Sequence, residues 1–315
     1  MKVFRIAILL TFITTIASAQ DIKPIPKDSV VSHWDKKNQV SFDLSEIAFL
    51  NWSAGGVSAI TGLAKTQFVR VYTNGNLKWG NELIMRYGLN KQDGIEWRKT
   101  DDAFLLTSTF GYRTDTISNW FYSAKFNFNT QFSNGYNYPN TSEPISKPFA
   151  PAYTFLGVGT EYSNKVKHVN AYVSPLTLKH TMVADQRLAN QGAFGVDPAL
   201  IDPVTGEVIR NGKRSKTELG ILVTAHHKHE VYRNIFLEDR VQFYTDYLNN
   251  FGNIDVDWTF QMDFVVNEYV KATIGAQVIY DDDIKAKEEV DGQQVTVGPK
   301  VQLRQWLSIG LVYNF

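Results

Sequence analysis

The chain has 315 residues, with 32 Lys plus Arg balanced by 32 Asp plus Glu, so its formal net charge is zero. It has no Cys, which excludes disulfides, thiolate metal sites, a cysteine nucleophile and a lipid anchor on cysteine; the charge balance excludes a nucleic-acid binder working through bulk positive charge. Mean hydropathy is −0.23 although 42 residues are Phe, Tyr or Trp, an unusual pairing of aromatic richness with modest average hydrophobicity.

The start of the chain reads as an export signal. Lys2 and Arg5 supply a basic head, Ile6 to Ile16 an apolar run broken only by Thr, and Ala17-Ser18-Ala19 a small-residue cleavage site before Gln20. The apolar run is too short for a helix crossing ~30 Å of hydrocarbon. Removing 1–19 leaves 30 cationic against 32 acidic side chains, a net of −2. No later stretch reaches the ~18 apolar residues of a spanning helix, so the exported protein is either soluble or inserted as strands. Residues 20–38 read as a short periplasmic segment and 39–315 as one domain.

From there the pattern has period two, the repeat of a strand whose side chains alternate between faces. The expected strands run at about 40–50, 57–72, 77–88, 98–112, 119–132, 152–163, 167–184, 216–228, 234–248, 254–266, 269–280 and 299–315, with 167–184 open to division into two. On the fifth, Trp120, Tyr122, Ala124, Phe126, Phe128 and Phe132 oppose Ser123, Lys125, Asn127, Asn129 and Gln131. On the tenth, Ile254, Val256, Trp258, Phe260, Met262 and Phe264 oppose Asp255, Asp257, Thr259, Gln261 and Asp263. The fold class is therefore all-β: a transmembrane antiparallel β-barrel of about 12 strands (range 10–14). The competing soluble sandwich uses strands of about five or six residues, too short for these segments. Aromatics such as Trp79, Tyr87, Trp120, Phe132 and Tyr280 cluster at strand ends, where membrane interfaces place them. Alternate connections are short (at Asn74-Gly75-Asn76, Arg113 to Ser118, Asn164-Lys165-Val166, Glu230 to Arg233 and Asn267-Glu268). The long ones, Ser133 to Pro151, Asp185 to Ser215 and Asp281 to Gly298, fall on the opposite parity. An even strand number puts both termini in the periplasm.

The polar face carries Lys78, Glu82, Arg86, Lys125, Asp255, Asp257, Asp263, Lys271 and Arg304. Such charges fit a barrel lumen, either filled by paired side chains or open as a narrow pore; filling is favoured. At the C-terminus Leu307, Ile309, Leu311, Tyr313 and Phe315 form an apolar every-second-residue strand ending on Phe. This resembles the membrane-assembly signal of bacterial outer-membrane barrels and implies recognition by the barrel-assembly machinery.

Other clusters offer less chemistry. His227 and His229 share a strand face and present two imidazoles to one metal, against a reading as a solvated strand end. Asp281-Asp282-Asp283 with Glu288, Glu289 and Asp291 offers oxygen ligands, but lacks the spaced ligands and turn glycine of a calcium loop; a charged outer loop is the expectation. There is no Gly-x-Ser-x-Gly and no recognisable Ser–His pairing. No catalytic residue, cofactor or metal is expected, nor a nucleic-acid partner. Outer-membrane lipid and an envelope protein complex are the expected partners. The alternatives are an outer-membrane lipid-modifying enzyme and a soluble secreted glycan-binding β-protein using aromatic loops such as Tyr136 to Tyr138.

Several anchors point further. Asn51-Trp52-Ser53-Ala54-Gly55-Gly56, Trp79 with Tyr87-Gly88, Lys99-Thr100-Asp101-Asp102, and Phe128-Asn129-Thr130-Gln131-Phe132 with Gly135-Tyr136 resemble the domain-of-unknown-function 3078 family. Gly157, Gly159 and Ser174-Pro175-Leu176-Thr177 add to the likeness. The resemblance covers about the first half of the exported chain and implies an uncharacterised Gram-negative envelope barrel of Bacteroidota. It carries no activity, substrate or site residues. Gly55-Gly56 suits a tight turn between strands.

Overall fold

The computed structural model describes residues 32–48, 57–249, 251–290 and 293–315. The proposed export signal, most of the 20–38 segment and the Asn51–Gly56 anchor lie outside the described residues. Twelve long strands close into one antiparallel barrel: β1 (Trp34–Ile47), β2 (Ala59–Asn74), β3 (Leu77–Gln92), β4 (Ile95–Tyr112), β5 (Trp120–Thr130), β6 (Ala152–Asn164), β7 (Val169–Met182), β10 (Ser215–Tyr232), β11 (Ile235–Asp246), β12 (Asp255–Val265), β13 (Val270–Tyr280) and β16 (Gln302–Asn314). Each strand pairs with its neighbour in the chain, and β16 pairs with both β13 and β1 to complete the ring. The remaining strands form two hairpins in the long connections, β8 (Leu200–Ile201) with β9 (Val208–Arg210) and β14 (Lys285–Val290) with β15 (Gln293–Pro299).

Two expected boundaries differ. β1 begins at Trp34, inside the stretch read as a periplasmic segment, because residues 34–38 continue the ladder with β2 from Trp34↔Tyr72 onward. The last barrel strand begins at Gln302, since 293–299 pairs locally in a hairpin. The segment 167–184 is one strand, β7, bent by a bulge at Ser174–Leu176 where the pairings to β6 and β10 both shift register. Pro175 sits in this bulge, where its missing N–H interrupts no regular ladder bond. Gly159 faces it: a Cβ there would lie 2.0 Å from the Val173 carbonyl oxygen. Bulge and glycine are thus one device, and the extra residue flips the facing of every later side chain on β7.

The facing is that of a membrane barrel. Leu156, Leu178, Ile274, Leu303, Leu307 and Ile309 are exposed on the outside, whereas Ser123, Asn127, Glu161, Lys179, Glu218 and Asp263 are buried inside. A soluble sandwich has the opposite arrangement, so that alternative falls. Aromatic pairs mark both rims. Trp34 stacks near Tyr72 and Trp79 (5.3 and 5.8 Å) and Trp120 near Tyr162 (5.2 Å) at one end; Phe104, Phe128, Phe132 and Phe149 cluster at the other. The two ends differ in their loops. Beside Trp34 and Asn314 lie the short connections 75–76, 113–119, 165–168, 233–234 and 266–269; the long connections 131–151, 183–214, 247–254 and 281–301 lie at the other. The 93–94 turn is the tight exception among them.

Connection 183–214 has its own small core. Val183, Leu188, Ala189 and Val196 bury against Ala150. They carry the helix α1 (Gln186–Asn190), too short to persist without packing. Asp185 caps it by accepting from the Leu188 N–H at 3.0 Å and also takes Lys147 Nζ at 2.5 Å.

Two outcomes are expected. Ile274→Arg, mid-strand on the lipid face, should cost roughly 2–4 kcal/mol of barrel stability, read as a lowered urea midpoint in lipid. Gln261→Arg on the lumen face should lower that midpoint less, although it adds a cation to a wall that already carries Lys65, Arg86, Lys271 and Arg304. Hydrogen bonding from Lys147, then from the Leu188 N–H, holds the Asp185 carboxyl below its ordinary value. Its contribution to the loop is therefore complete above the ordinary carboxylate range and is lost as pH falls through the depressed value. Protease cleavage within 183–214 should rise on acidification in the native chain, and Asp185→Asn should flatten that pH dependence.

Candidate functional site

The chemistry of this chain is concentrated in the lumen. A barrel of eight strands fills its interior with side chains and one of sixteen or more leaves a channel. At twelve strands the inward residues themselves decide the outcome. All nine charges read from alternation, Lys78, Glu82, Arg86, Lys125, Asp255, Asp257, Asp263, Lys271 and Arg304, project to the inside, where they find partners. Arg86 Nε lies 3.1 Å from Asp101, as does Arg304 Nη1. Gln277 donates to Asp257 at 2.8 Å, and Lys271 lies 3.4 Å from Asp263. Lys125 donates to Thr224 at 2.7 Å over the Tyr172 ring, and Lys78 to Glu161 at 2.7 Å.

The decisive contact crosses the whole barrel. Arg240 on β11 binds Glu82 on β3 through two hydrogen bonds, Nη1 to Oε2 at 2.9 Å and Nη2 to Oε1 at 3.1 Å. These strands are six apart in either direction around the ring, so the bridge spans a diameter. The same guanidinium donates from Nε to Glu238 at 2.9 Å, and Glu238 also takes Lys228 at 2.7 Å and contacts His226 at 3.1 Å. A planar guanidinium satisfying two carboxylates is a rigid arrangement that Lys does not reproduce.

On either side of this bar the lumen is uneven. Beside β1, β2 and β16 lies a cavity of about 300 Å³. Its wall carries Lys65, Arg86, Lys271 and Arg304 against Asp43 and Asp101. Trp306 forms another part of the wall, its indole so close over Gly275 that a Cβ there would meet the ring at 2.1 Å. At the mouth with the long connections lies an acidic group. Lys179 Nζ lies 2.7 Å from Asp255, 3.7 Å from Glu218 and 3.8 Å from Asp281, and Lys216 lies 2.7 Å from Asp283 and 3.3 Å from Glu218. The acidic run Asp281–Asp283, read as a charged outer loop, thus folds back onto the lumen mouth.

His227 and His229 face outward on β10 with stacked rings, centroids 4.3 Å apart, and no third ligand joins them among the described residues. His226, just before them, and Lys228, between them, face inward to Glu238. Leu307, Ile309, Leu311 and Tyr313 face outward on the closing strand; Tyr313 stacks on Phe315 at 5.8 Å.

Sequence reading missed several lumen groups. Glu238 and Arg240 alternate with Leu237, Asp239 and Val241, a pattern blurred by the charged Asp239 on the outer face. Lys179 was hidden by the parity flip at Pro175. That Arg240 meets Glu82, 158 positions away, has no local signal.

No curated protein matches the sequence. Among solved structures, the outer-membrane channel COG4313 from Pseudomonas putida F1 is similar at 10% identity over 93% of this chain and 100% of that one, TM-score 0.41. The translocator domain of the autotransporter NalP from Neisseria meningitidis is similar at 11% identity over 91% and 90%, TM-score 0.36. The outer-membrane protein OmpT of Vibrio cholerae is similar at 9% over 90% and 97%, TM-score 0.32. Such low scores bear on no role for this chain, whose barrel is defined by its own strand pairing.

Removing Arg240 leaves Glu82 and Glu238 facing each other's charge. Arg240→Ala should cost about 1–3 kcal/mol, between an exposed pair and a fully buried one, as a lowered urea midpoint. Glu82→Ala should then cost less in the Arg240→Ala background than alone, a coupling read from the double-mutant cycle.

Residues 44–136, from the end of β1 to Tyr136 beyond β5, match the family model described as Protein of unknown function (DUF3078).

Proposed function

We propose that this chain is a bacterial outer-membrane barrel whose lumen is a closed polar core, serving as a structural or accessory envelope component and not as an open diffusion pore. The diametric Glu82–Arg240 bridge carries this reading. A pore needs a continuous aqueous path, and a doubly hydrogen-bonded pair fixed to opposite walls, braced by Glu238, stands across it. The even strand count and the placing of Trp34 and Asn314 at the short-turn end support an orientation with both chain termini in the periplasm. Export by 1–19, recognition of the Leu307–Phe315 strand by the barrel-assembly machinery and contact with outer-membrane lipid belong to the same reading, as does docking in an envelope complex. No catalytic step is part of it.

A second reading has one observation in its favour. Among the described residues Lys65 has no carboxylate within ion-pair distance, and it lines the 300 Å³ cavity beside Trp306. A lumen that holds a small organic anion without passing it would use such a cation and such a ring face.

Planar-bilayer recording separates these readings from a channel. The purified native barrel should give no stable unitary conductance, and the double variant E82A/R240A should give discrete openings. Steady, well-defined steps from the native barrel would overturn the closed-lumen reading.

A further inference from the structure

We infer that the mouth of the barrel at its long-connection end binds one divalent cation, Ca²⁺ by its ligand chemistry, on Asp255, Asp281 and Asp282. A small cavity of about 10 Å³ adjoins them, lined by Asp255 and Asp282 together with Glu218, Tyr244, Asp246 and Asn253. That is close to the ~10–15 Å³ a single water-sized particle needs. Carboxylate oxygens of Asp255, Asp281 and Asp282 come within 4.8 Å of one another.

The charge there is uncompensated. Glu218, Asp246, Asp255, Asp281, Asp282 and Asp283 converge on the mouth, and only Lys179 and Lys216 pair with them by the contacts given above. Two ammonium groups against six carboxylates leave a strongly negative, half-buried pocket. Lys179 is committed to Asp255 at 2.7 Å and reaches Glu218 only at 3.7 Å.

An independent observation points into the same cavity. Tyr244 is 2% exposed, yet its hydroxyl has no hydrogen-bond partner. Glu218, 4% exposed, likewise leaves Oε2 without one. Buried polar atoms are nearly always satisfied, and the Tyr244 hydroxyl lines this cavity unpartnered; the cation nearest Glu218 Oε2 is Lys179 Nζ, at 3.7 Å. The ligand set is carboxylate oxygen with a phenol beside it, which suits a hard cation, and Asn253 Nδ2 donates to Asp282 Oδ2 at 2.8 Å, bracing that carboxylate. Mg²⁺ holds its waters reluctant to leave and demands octahedral order, whereas Ca²⁺ accepts irregular oxygen shells.

The donors come from separate parts of the mouth. Asp255 is on β12 and Asp281 and Asp282 lie beyond β13, with Glu218 on β10, Tyr244 on β11 and Asn253 in the 247–254 connection around them. A bound ion would therefore tie two outer connections to the barrel wall. This inference is independent of whether the lumen conducts.

The test uses the folded full-length barrel in detergent, with Tb³⁺ as a luminescent probe excited through tyrosine. One saturable Tb³⁺ site should appear and be displaced by Ca²⁺, with half-displacement in the range of roughly 0.1–1 mM typical of extracellular calcium modules. Asp282→Asn, at a loop position outside the barrel ladder, should weaken Tb³⁺ binding at least tenfold while the heat-modifiable barrel persists. Asp197→Asn, a surface control, should not weaken it. As a second measurement, millimolar Ca²⁺ should slow proteolysis of the 247–254 and 281–301 connections in the native chain and not in Asp282→Asn. Absence of saturable Tb³⁺ emission, equal binding by native and Asp282→Asn protein, or equal protection by Mg²⁺ at the same concentration would each overturn the assignment.

Discussion

Closure between β1 and β16 is the constraint on which the rest of this structure depends. In hydrocarbon an unpaired backbone amide or carbonyl costs several kcal/mol, so a sheet survives there only without edges. The strand Gln302–Asn314 meets this by pairing along β13 on one side and β1 on the other. The junction is reinforced inside by Gln39 donating to Asn314 at 2.9 Å, and at its end by the Phe315 N–H donating to the Asn38 carbonyl at 3.1 Å. Once the ring is closed, each residue has only two destinations, lipid or lumen, and alternation assigns it to one of them.

The lumen follows from that assignment. Every strand must send its polar face inward, and twelve strands bring many charged side chains into a space too narrow to hydrate each fully. They neutralise one another, and because the wall is curved the partner is often far around the ring. Lys78 reaches Glu161 three strands away, Arg304 reaches Asp101 four strands away, and Arg240 reaches Glu82 across the diameter. Cross-lumen pairing is thus the interior counterpart of the closing ladder: one removes edges, the other removes isolated charges.

How much of this is legible in the sequence depends on range. Alternation along Asp255–Val265 and Val270–Tyr280 is a local property, and both strands stand where the pattern put them to within a residue or two. It fails at Ser174–Leu176, where one extra residue inverts the facing, so that Tyr172 and Ser174 point inward on even positions and Thr177 and Lys179 on odd ones. Pro175 was the visible clue, since a proline inside a paired strand belongs at a bulge. Pairings such as Glu82 with Arg240 are set by ring geometry, and no spacing encodes them. The same holds for Asp281–Asp283: as a run it reads as a solvated loop, and only the turn back toward Asp255 makes it part of the lumen mouth.

The two poles of the lumen then take on a common meaning. On the side of β1, β2 and β16 the cavity wall carries four cationic side chains against two carboxylates, and at the mouth the carboxylates outnumber the lysines three to one. The chain as a whole is close to neutral, so this separation is spatial and not compositional. Pairing all the charges would have required moving them together, and a side chain on a barrel strand keeps to the lumen only in steps of two residues, since a one-residue slip turns it to the lipid face. Charge of each sign is therefore gathered at fixed places: Lys65 stands beside the cavity without a carboxylate partner among the described residues, and at the mouth six carboxylates face Lys179 and Lys216. The Glu82–Arg240 bar lies within the lumen that both poles share, fixed to opposite walls. A barrel built in this way is chemically most demanding at these two places, one on the side of β1, β2 and β16 and one at the long-connection mouth.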